Sequence, residues 1–227
     1  MDLVMRGVAA RYPGLPKPVL DVPALSIATG ERVAVMGPSG AGKTTLINIA
    51  AGLDRPDEGE ARWGGVDIAA MSEARRDAWR ARHVGLVMQD FHLFAGLSAI
   101  DNVLLPQQLR AWSIDRGAVA RAEELLRKVG LSRAAQKIET MSRGEMQRVA
   151  VARALQMKPS IIVADEPTAS LDSDSAIAVA DLLLALTAEA GATLIVVTHD
   201  EALEGRLSRI IRLEGGRIAT PHLPAAA

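Results

Sequence analysis

The chain has 227 residues, of which 49% are hydrophobic and 23% are charged, with 26 basic against 27 acidic side chains. This length predicts one large domain that buries enough surface to need no disulfide or metal staple. Because the sequence has no cysteine, disulfides, thiolate zinc sites and cysteine nucleophiles are excluded. The net charge of −1, with only three Trp, one Tyr and two Phe, argues against nucleic acid as a partner.

The sequence also lacks the features of a membrane-inserted chain. No apolar run approaches the roughly 18 residues that a bilayer span requires. The first six residues include an acid and no apolar stretch, so we expect no signal peptide. We therefore expect a soluble cytoplasmic protein, with any role at a membrane supplied by a partner.

Short runs rich in Val and Ile alternate with helical patterns, which predicts an α/β fold. The later runs are almost continuously apolar, as in strands buried on both faces of a sheet, whereas the first two alternate like antiparallel or edge strands. The predicted strands are Leu3–Arg11, Ala24–Ala28, Arg32–Met36, Val84–Met88, Ile161–Ala164 and Thr193–Val197. The predicted helices begin after Gly42 and cover Ser72–Arg82, Asp115–Val129, Ser142–Leu155 and Asp174–Ala190.

Residues 91–158 contain no convincing strand pattern. We predict an all-helical unit there, inserted into a single domain that spans residues 1–227. Gly130 occupies the place where a glycine ends a helix. The Pro/Ala-rich tail from Pro221 is expected to fray.

Residues 37–44 fit the phosphate-loop pattern G-x-x-x-x-G-K-[ST] between a predicted strand and a predicted helix. Glycines let backbone N–H groups converge on phosphate oxygens, and the helix N-terminus adds partial positive charge. Lys43 is expected to reach the β- and γ-phosphates, and Thr44 to ligate Mg²⁺. The strand–loop–helix order disfavours a glycine-rich turn that binds nothing. The predicted phosphate-loop contacts to ATP are Gly37, Ser39, Gly40, Ala41, Gly42, Lys43, Thr44 and Thr45.

Two acids follow the predicted strand at 161–164. Asp165 is placed to hold magnesium, and Glu166, one residue further, is expected to face the other side of the strand and address a water. A second acid favours hydrolysis over transfer to a substrate hydroxyl, as in a kinase, although Asp-Glu-Pro also suits an ordinary polar loop. His199 follows the next strand and could bind a γ-phosphate or the attacking water, although a lone histidine there is often just a loop residue.

With these motifs in place, the sequence resembles the ATP-binding subunits of ABC transporters along nearly its whole length. Gln89 matches the Q-loop, residues 141–148 (Met-Ser-Arg-Gly-Glu-Met-Gln-Arg) the signature motif, residues 170–172 (Ser-Leu-Asp) the D-loop, and His199 the switch histidine. The resemblance implies a RecA-like P-loop NTPase core with an antiparallel β subdomain and an inserted all-helical subdomain. It also implies that Tyr12 stacks on adenine and that Gln89 joins Thr44 and Asp165 around magnesium.

Within that family the chain looks most similar to the lipoprotein-releasing and macrolide-export type, because of residues 91–94, 97–99 and 102–106. The family resemblance implies a head-to-tail dimer of two copies with two ATP molecules sandwiched between them. It further implies an integral membrane permease as partner, at the cytoplasmic face of the inner membrane. The residues expected to act across the dimer are Ser142, Arg143, Gly144, Glu145 and Asp172.

The signature motif departs from the family's usual Leu-Ser-Gly-Gly-Gln at Met141, Arg143 and Glu145, of which Glu for Gln is a mild change that keeps an acceptor. Ser142 and Glu145 still form a capping-box pattern that opens a helix with free N–H groups. Arg143 replaces a glycine, so its side chain could crowd the interface or bring a cation near the phosphates. We expect it to turn outward while Ser142 and Gly144 keep their contacts.

The resulting hypothesis is an ATPase whose dimer closes on ATP, with Glu166 orienting or deprotonating the attacking water. Lys43 and Mg²⁺ stabilise the developing charge, and His199 holds the γ-phosphate or the water. An alternative is a complex that transmits force through the membrane without moving a solute. A soluble ABC-type ATPase of DNA repair or ribosomes and a P-loop kinase are two further alternatives. The sequence leaves open the transported substrate, the direction of transport and the identity of the membrane partner.

Overall fold

The computed structural model describes residues 1–110, 114–199, 203 and 205–222. Its elements form two sheets and a layer of helices. The strands are β1 (Leu3–Ala10), β2 (Leu20–Ile27), β3 (Arg32–Met36), β4 (Glu58–Trp63), β5 (Val66–Asp67), β6 (Val84–Val87), β7 (Ile161–Asp165), β8 (Thr193–Val197), β9 (Arg209–Glu214) and β10 (Arg217–His222). The helices are α1 (Lys43–Ala51), α2 (Glu73–His83), α3 (Ala99–Gln108), α4 (Arg116–Lys128), α5 (Arg143–Gln156) and α6 (Ser173–Glu189), with a 3₁₀ turn at Ile138–Thr140.

The larger sheet has the strand order β10-β9-β3-β8-β7-β6. Every pairing from β9 to β6 is parallel, and only β10 runs antiparallel to its neighbour. The carboxyl ends of β3, β8, β7 and β6 therefore lie along one edge, where α/β sheets bind ligands. The loops that follow these four strands carry the phosphate loop, His199, Glu166 and Gln89.

The smaller sheet is antiparallel, with the order β2-β1-β4-β5. It shares one hydrophobic core with α1 and one face of the larger sheet, to which Val33 and Val35 contribute. Ala34 and Met36 of the same strand point into a second core, formed with α3, α4, α5 and α6. These four helices are called the helical layer below. Successive residues of a central strand thus enter different cores, which explains why these strands are continuously apolar.

These elements confirm the α/β class and the predicted helices α2, α4, α5 and α6, whose ends lie within one residue of the predicted ones. Every described element between β6 and β7 is helical, whereas the boundaries 91–158 of an inserted unit stay a prediction. Gly130 has a φ of 75°, as expected for a glycine that ends a helix. The prediction that the tail frays from Pro221 was wrong for Pro221 and His222, which pair with β9. Residues 223–227 lie outside the described part of the chain.

Several elements were not anticipated, although their signals are in the sequence. Ser98 and Asp101 form a capping box that opens α3. The β4–β5 and β9–β10 hairpins turn at Gly64–Gly65 and Gly215–Gly216, and all four of these glycines have positive φ. Among the described residues, no helix is both long and apolar enough to cross a bilayer.

Close packing of α5 on β6 depends on Gly85. A Cβ atom at this position would lie 2.3 Å from the Ala154 carbonyl oxygen and 2.7 Å from Ile162 Cδ1. We expect Gly85→Ala to lower the free energy of unfolding by about 1–3 kcal/mol, because the backbone of α5 must move. Urea unfolding measures this, with Gly205→Ala as control, since an added methyl there meets no atom of the described residues within 4 Å. Equal midpoints for both variants would contradict the packing.

Candidate nucleotide-hydrolysis site

The phosphate loop connects β3 to α1 through a backbone that requires glycine. Gly37 and Gly42 have φ values of 150° and 93°. A Cβ atom at these residues would lie 2.2 Å from the Leu213 carbonyl oxygen and 2.6 Å from that of Val19, respectively. Ala41 and Thr45 are buried, so the loop packs closely against the body of the protein. The loop is therefore shaped for anion binding at the start of α1.

Lys43 is the first residue of α1, and its side chain is only 8% exposed. Its Nζ atom donates hydrogen bonds to the carbonyl oxygens of Gly37, at 2.8 Å, and Pro38, at 3.0 Å. An ammonium group has three N–H donors, so one remains for a phosphate oxygen. The fold thus holds a positive charge inside the phosphate loop.

Asp165 ends β7 and lies beside the phosphate loop. Burial raises the pKa of its carboxyl group, and the Lys43 ammonium and a hydrogen bond with the Thr44 side chain act in the opposite direction. A hydroxyl and a carboxylate side by side are oxygen donors of the kind that Mg²⁺ prefers. The described residues contain no group of three or more His, Cys, Asp or Glu that could hold a metal ion.

Glu166 follows Asp165 with a φ of 46°, in the left-handed region that side chains rarely adopt. Its N–H donates to the Val197 carbonyl oxygen at 2.9 Å, which ties the residue to the end of β8. Its Oε1 atom lies 3.1 Å from His199 Nε2. This backbone conformation, rather than simple strand alternation, decides where the carboxylate points.

Burial is the largest cause of the raised pKa of Glu166. His199 acts against it, the neighbouring Asp165 carboxylate adds to the increase, and Lys43 lowers the pKa again. A carboxyl group with a raised pKa is suited to proton transfer near neutral pH. Gln89, Glu166, Thr168, Ala169 and His199 line one cleft, so the fold brings three predicted site residues from three strand ends together.

Tyr12 lies apart from this cluster, on the loop between β1 and β2, and is 47% exposed. An exposed aromatic face can stack on a base. Its contact with adenine stays a prediction.

The predicted capping box at the start of α5 is confirmed. The Ser142 hydroxyl accepts a hydrogen bond from the Glu145 N–H at 3.2 Å, and the Glu145 carboxylate accepts one from the Ser142 N–H at 2.8 Å. The second contact holds the pKa of Glu145 below its usual value. A Cβ atom on Gly144 would lie 3.0 Å from Ser175 Oγ, so α5 begins against the first turn of α6.

Asp172 caps the start of α6, as Ser142 caps the start of α5. Its carboxylate accepts a hydrogen bond from the Ser175 N–H at 3.0 Å, which lowers its pKa. Asp172 and Glu145 each bind the helix that they open. Their expected role across a dimer stays a prediction.

Arg143 is exposed, as expected, but its side chain folds back on its own subunit. Its Nε atom donates a hydrogen bond to the Ser170 carbonyl oxygen at 3.0 Å. Its guanidinium carbon lies 5.1 Å from the centroid of the Phe91 ring. The side chain thus spans from the signature motif to the D-loop and to the segment after Gln89.

Two other residues of α5 were missed by sequence reasoning. Gln147 is buried, and its Nε2 atom donates to the Pro167 carbonyl oxygen at 2.8 Å. Arg153, whose pKa burial lowers, donates to the carbonyl oxygens of Phe91, at 2.6 Å, and His92. Both acceptors have positive φ, 56° and 45°. No local sequence pattern signals these contacts, although a polar residue on a helix face that is otherwise apolar is a usable hint.

A phosphate loop and an acidic strand end on the same edge of a parallel sheet define a P-loop nucleotide hydrolase, and this chain has that architecture. The model of the ABC transporter family matches residues 20–169. The chain therefore belongs to the ABC transporter family, as an ATP-binding subunit with ATPase activity.

Relatives and solved structures support this assignment over most of the chain. The lipoprotein-releasing system ATP-binding protein LolD of Chromohalobacter salexigens is 46% identical over 202 residues, which cover 88% of this chain and 85% of that protein. An uncharacterized ABC transporter ATP-binding protein of Mycobacterium tuberculosis is 40% identical over 201 residues, 88% of this chain and 81% of that protein. The dimeric, post-hydrolysis ATP-binding cassette MJ0796, bound to ADP and Pi, superposes with a TM-score of 0.88 at 35% identity, covering 99% and 100% of the two chains.

Proposed function

We propose that two copies of this chain close head to tail around two ATP molecules and that Glu166 activates the hydrolytic water. The observation that carries this proposal is the 3.1 Å contact between Glu166 and His199 at the strand edge that also carries Lys43. A half-buried carboxylate beside an imidazole can hold a water and take its proton. His199 then orients the carboxylate, the water or the γ-phosphate.

Within this site, Lys43 and the loop N–H groups bind the β- and γ-phosphates and stabilise charge that develops during hydrolysis. Thr44 and Asp165 would hold Mg²⁺ through their oxygen atoms, with Gln89 close to the γ-phosphate end. Mg²⁺ bound there neutralises phosphate charge. Tyr12 would stack on adenine, at the opposite end of the nucleotide.

The second half of each site comes from the partner's α5. Ser142 and Gly144 lie at a helix N-terminus, whose free N–H groups attract an anion. In its own subunit, α5 packs on α3, α4, α6 and β6, in the helical layer. In the closed dimer, the second copy would supply this N-terminus to the γ-phosphate.

We further propose that the ATPase drives an integral membrane permease of the lipoprotein-releasing type, bound at the cytoplasmic face of the inner membrane. The names of the LolD relatives support this substrate class. The exposed Phe94, 57% accessible, lies in the segment after Gln89, where a partner can reach the helical layer. Hydrolysis of ATP, with Glu166 activating the water, would change the position of α5 and so transmit motion to the permease.

Co-purification tests the proposed function. We expect the tagged chain, expressed in its native cells, to capture an integral membrane protein with a large extracytoplasmic domain. In proteoliposomes, the complex should release a lipoprotein in proportion to the ATP it hydrolyses. ATP hydrolysis without release of any solute would favour the force-transmitting alternative, and phosphate transfer only to an added hydroxyl acceptor would favour a kinase.

A further inference from the structure

We propose that Arg143 is a positioning residue that joins the signature motif, the D-loop and the Phe91 turn into one rigid unit. This inference rests on the proposed head-to-tail dimer. The unit is the surface that a subunit presents to its partner's ATP. Arg143 would act through its own chain, not by touching the nucleotide.

The contacts of Arg143 connect segments that are far apart in the sequence. Its guanidinium donates to the carbonyl oxygen of Ser170, the first residue of the D-loop, at 3.0 Å. The same group lies over the Phe91 ring, with 5.1 Å between its carbon atom and the ring centroid. A cation at this distance is attracted by the ring face. One side chain at the start of α5 therefore holds two separate loops.

Phe91 is held from its other side as well. Arg153, at the opposite end of α5, donates to the Phe91 carbonyl oxygen at 2.6 Å, and the Phe91 backbone has a φ of 56°. The ring is buried, with 7% exposure. Arg143 and Arg153 thus contact the turn after Gln89 at its ring and at its backbone, and both contacts tie the turn to α5.

The D-loop and the residues on either side of it are fastened to α5 at three depths. Gln147 binds the Pro167 carbonyl oxygen at 2.8 Å in the interior, and Gly144 packs against Ser175. Arg143 adds the outermost contact, at the first residue of the helix. The first N–H groups of α5, which have no partner within the helix, lie at this end.

A glycine at position 143, as is usual in the family, would remove the outermost contact between the tip of α5 and the D-loop and so allow more relative motion there. Closing a dimer on two mobile segments costs more conformational entropy than closing it on one preorganised surface. A cation at a helix N-terminus is itself electrostatically unfavourable, and the Ser170 and Phe91 contacts offset that effect. Arg143 is thus expected to favour ATP-driven closure.

ATP-driven dimerisation in the hydrolysis-deficient Glu166→Gln background tests the inference. We expect Arg143→Ala to raise the ATP concentration for half-maximal dimer formation by about 5- to 30-fold, which corresponds to about 1–2 kcal/mol. Arg143→Lys should restore part of the effect, because it keeps a cation and a donor. Analytical ultracentrifugation at a series of ATP concentrations measures the shift.

Arg116→Ala is the matched control, since Arg116 is the exposed first residue of α4. Its side chain makes no hydrogen bond or ion pair with the described residues. This variant should dimerise like the Glu166→Gln parent. With Glu166 intact, Arg143→Ala should raise the KM for ATP and change kcat less than about twofold. Phe91→Leu should produce part of the same defect, and the double variant should be no worse than Arg143→Ala, because both remove the same tether.

The two proposals fail in different ways. If the Glu166→Gln parent forms no ATP-dependent dimer, the head-to-tail dimer is wrong, and this inference with it. If the parent dimerises and Arg143→Ala matches Arg116→Ala, only the role of Arg143 is wrong. Tighter dimerisation of Arg143→Ala, or additive defects of Arg143→Ala and Phe91→Leu, would equally overturn it.

Discussion

Glu166→Gln is expected to lower the rate of ATP hydrolysis by about 10²- to 10⁴-fold, the usual contribution of a general base. Glutamine has nearly the same shape but cannot accept the proton of the attacking water. Lys43 and the phosphate loop remain intact, so ATP binding should be retained and dimers should accumulate. Phosphate release and size-exclusion chromatography with ATP measure the two effects.

The control for this variant is Glu123→Gln, on the exposed face of α4, which should hydrolyse ATP at the original rate. Normal phosphate release from Glu166→Gln would show that another group activates the water. Retained turnover with an altered pH profile would also contradict the assignment. Loss of both ATP binding and turnover would instead indicate damage to the phosphate loop.

The same variant has a second readout, in stability. Because burial raises the pKa of Glu166, the folded state binds its proton more tightly than the unfolded state. The free energy of unfolding of the original protein therefore falls as the pH rises from the unfolded-state pKa, about 4.3, through the higher folded-state pKa. Glu166→Gln avoids this loss, so it should be the more stable protein at neutral pH and show no such advantage well below pH 4. Urea unfolding at both pH values measures the difference.

Lys43→Met is expected to reduce ATP hydrolysis by about 10²- to 10³-fold, as does removal of one group that stabilises transition-state charge. Methionine keeps an unbranched apolar stem in the buried site but removes the ammonium group. ATP affinity should fall as well, because the phosphate loop loses its positive charge. Titration with ATP and a phosphate-release assay measure the two quantities.

Some loss of stability is expected with Lys43→Met, since the carbonyl oxygens of Gly37 and Pro38 lose a donor. Lys128→Met is the matched control, because Lys128 forms ion pairs on the surface with Glu124 and Glu189. It should leave ATP binding and hydrolysis unchanged. Equal ATP affinity for Lys43→Met and the original protein would contradict the role of Lys43.

Sequence reasoning succeeded where a motif is local. The phosphate loop, the start of α5 at Ser142 and the glycine at 130 depend on interactions within a few residues, so their residue types alone signal them. Continuous apolar runs marked the central strands, because each of these strands faces two cores. The strands of the β4–β5 and β9–β10 hairpins are short or partly exposed, which weakened their pattern.

For the candidate site, the sequence supplied the residue types and tertiary structure supplied their arrangement. The parallel order β3-β8-β7-β6 brings Glu166 and His199 to one edge, and a left-handed backbone at Glu166 aims the carboxylate. No sequence pattern gives that φ, because it depends on the hydrogen bond to Val197 of another strand.

Arg143 shows most clearly the difference between what the sequence and what the tertiary structure determine. By itself, the sequence determined that an arginine replaces the usual glycine at the start of a capped helix. Only the tertiary structure decided that its side chain binds Ser170 and Phe91 in its own subunit. The physical reason is distance along the chain. Local signals fix helix ends and loops within a few residues, whereas these partners lie 27 and 52 positions away and meet Arg143 only once the helical layer has packed on the sheet.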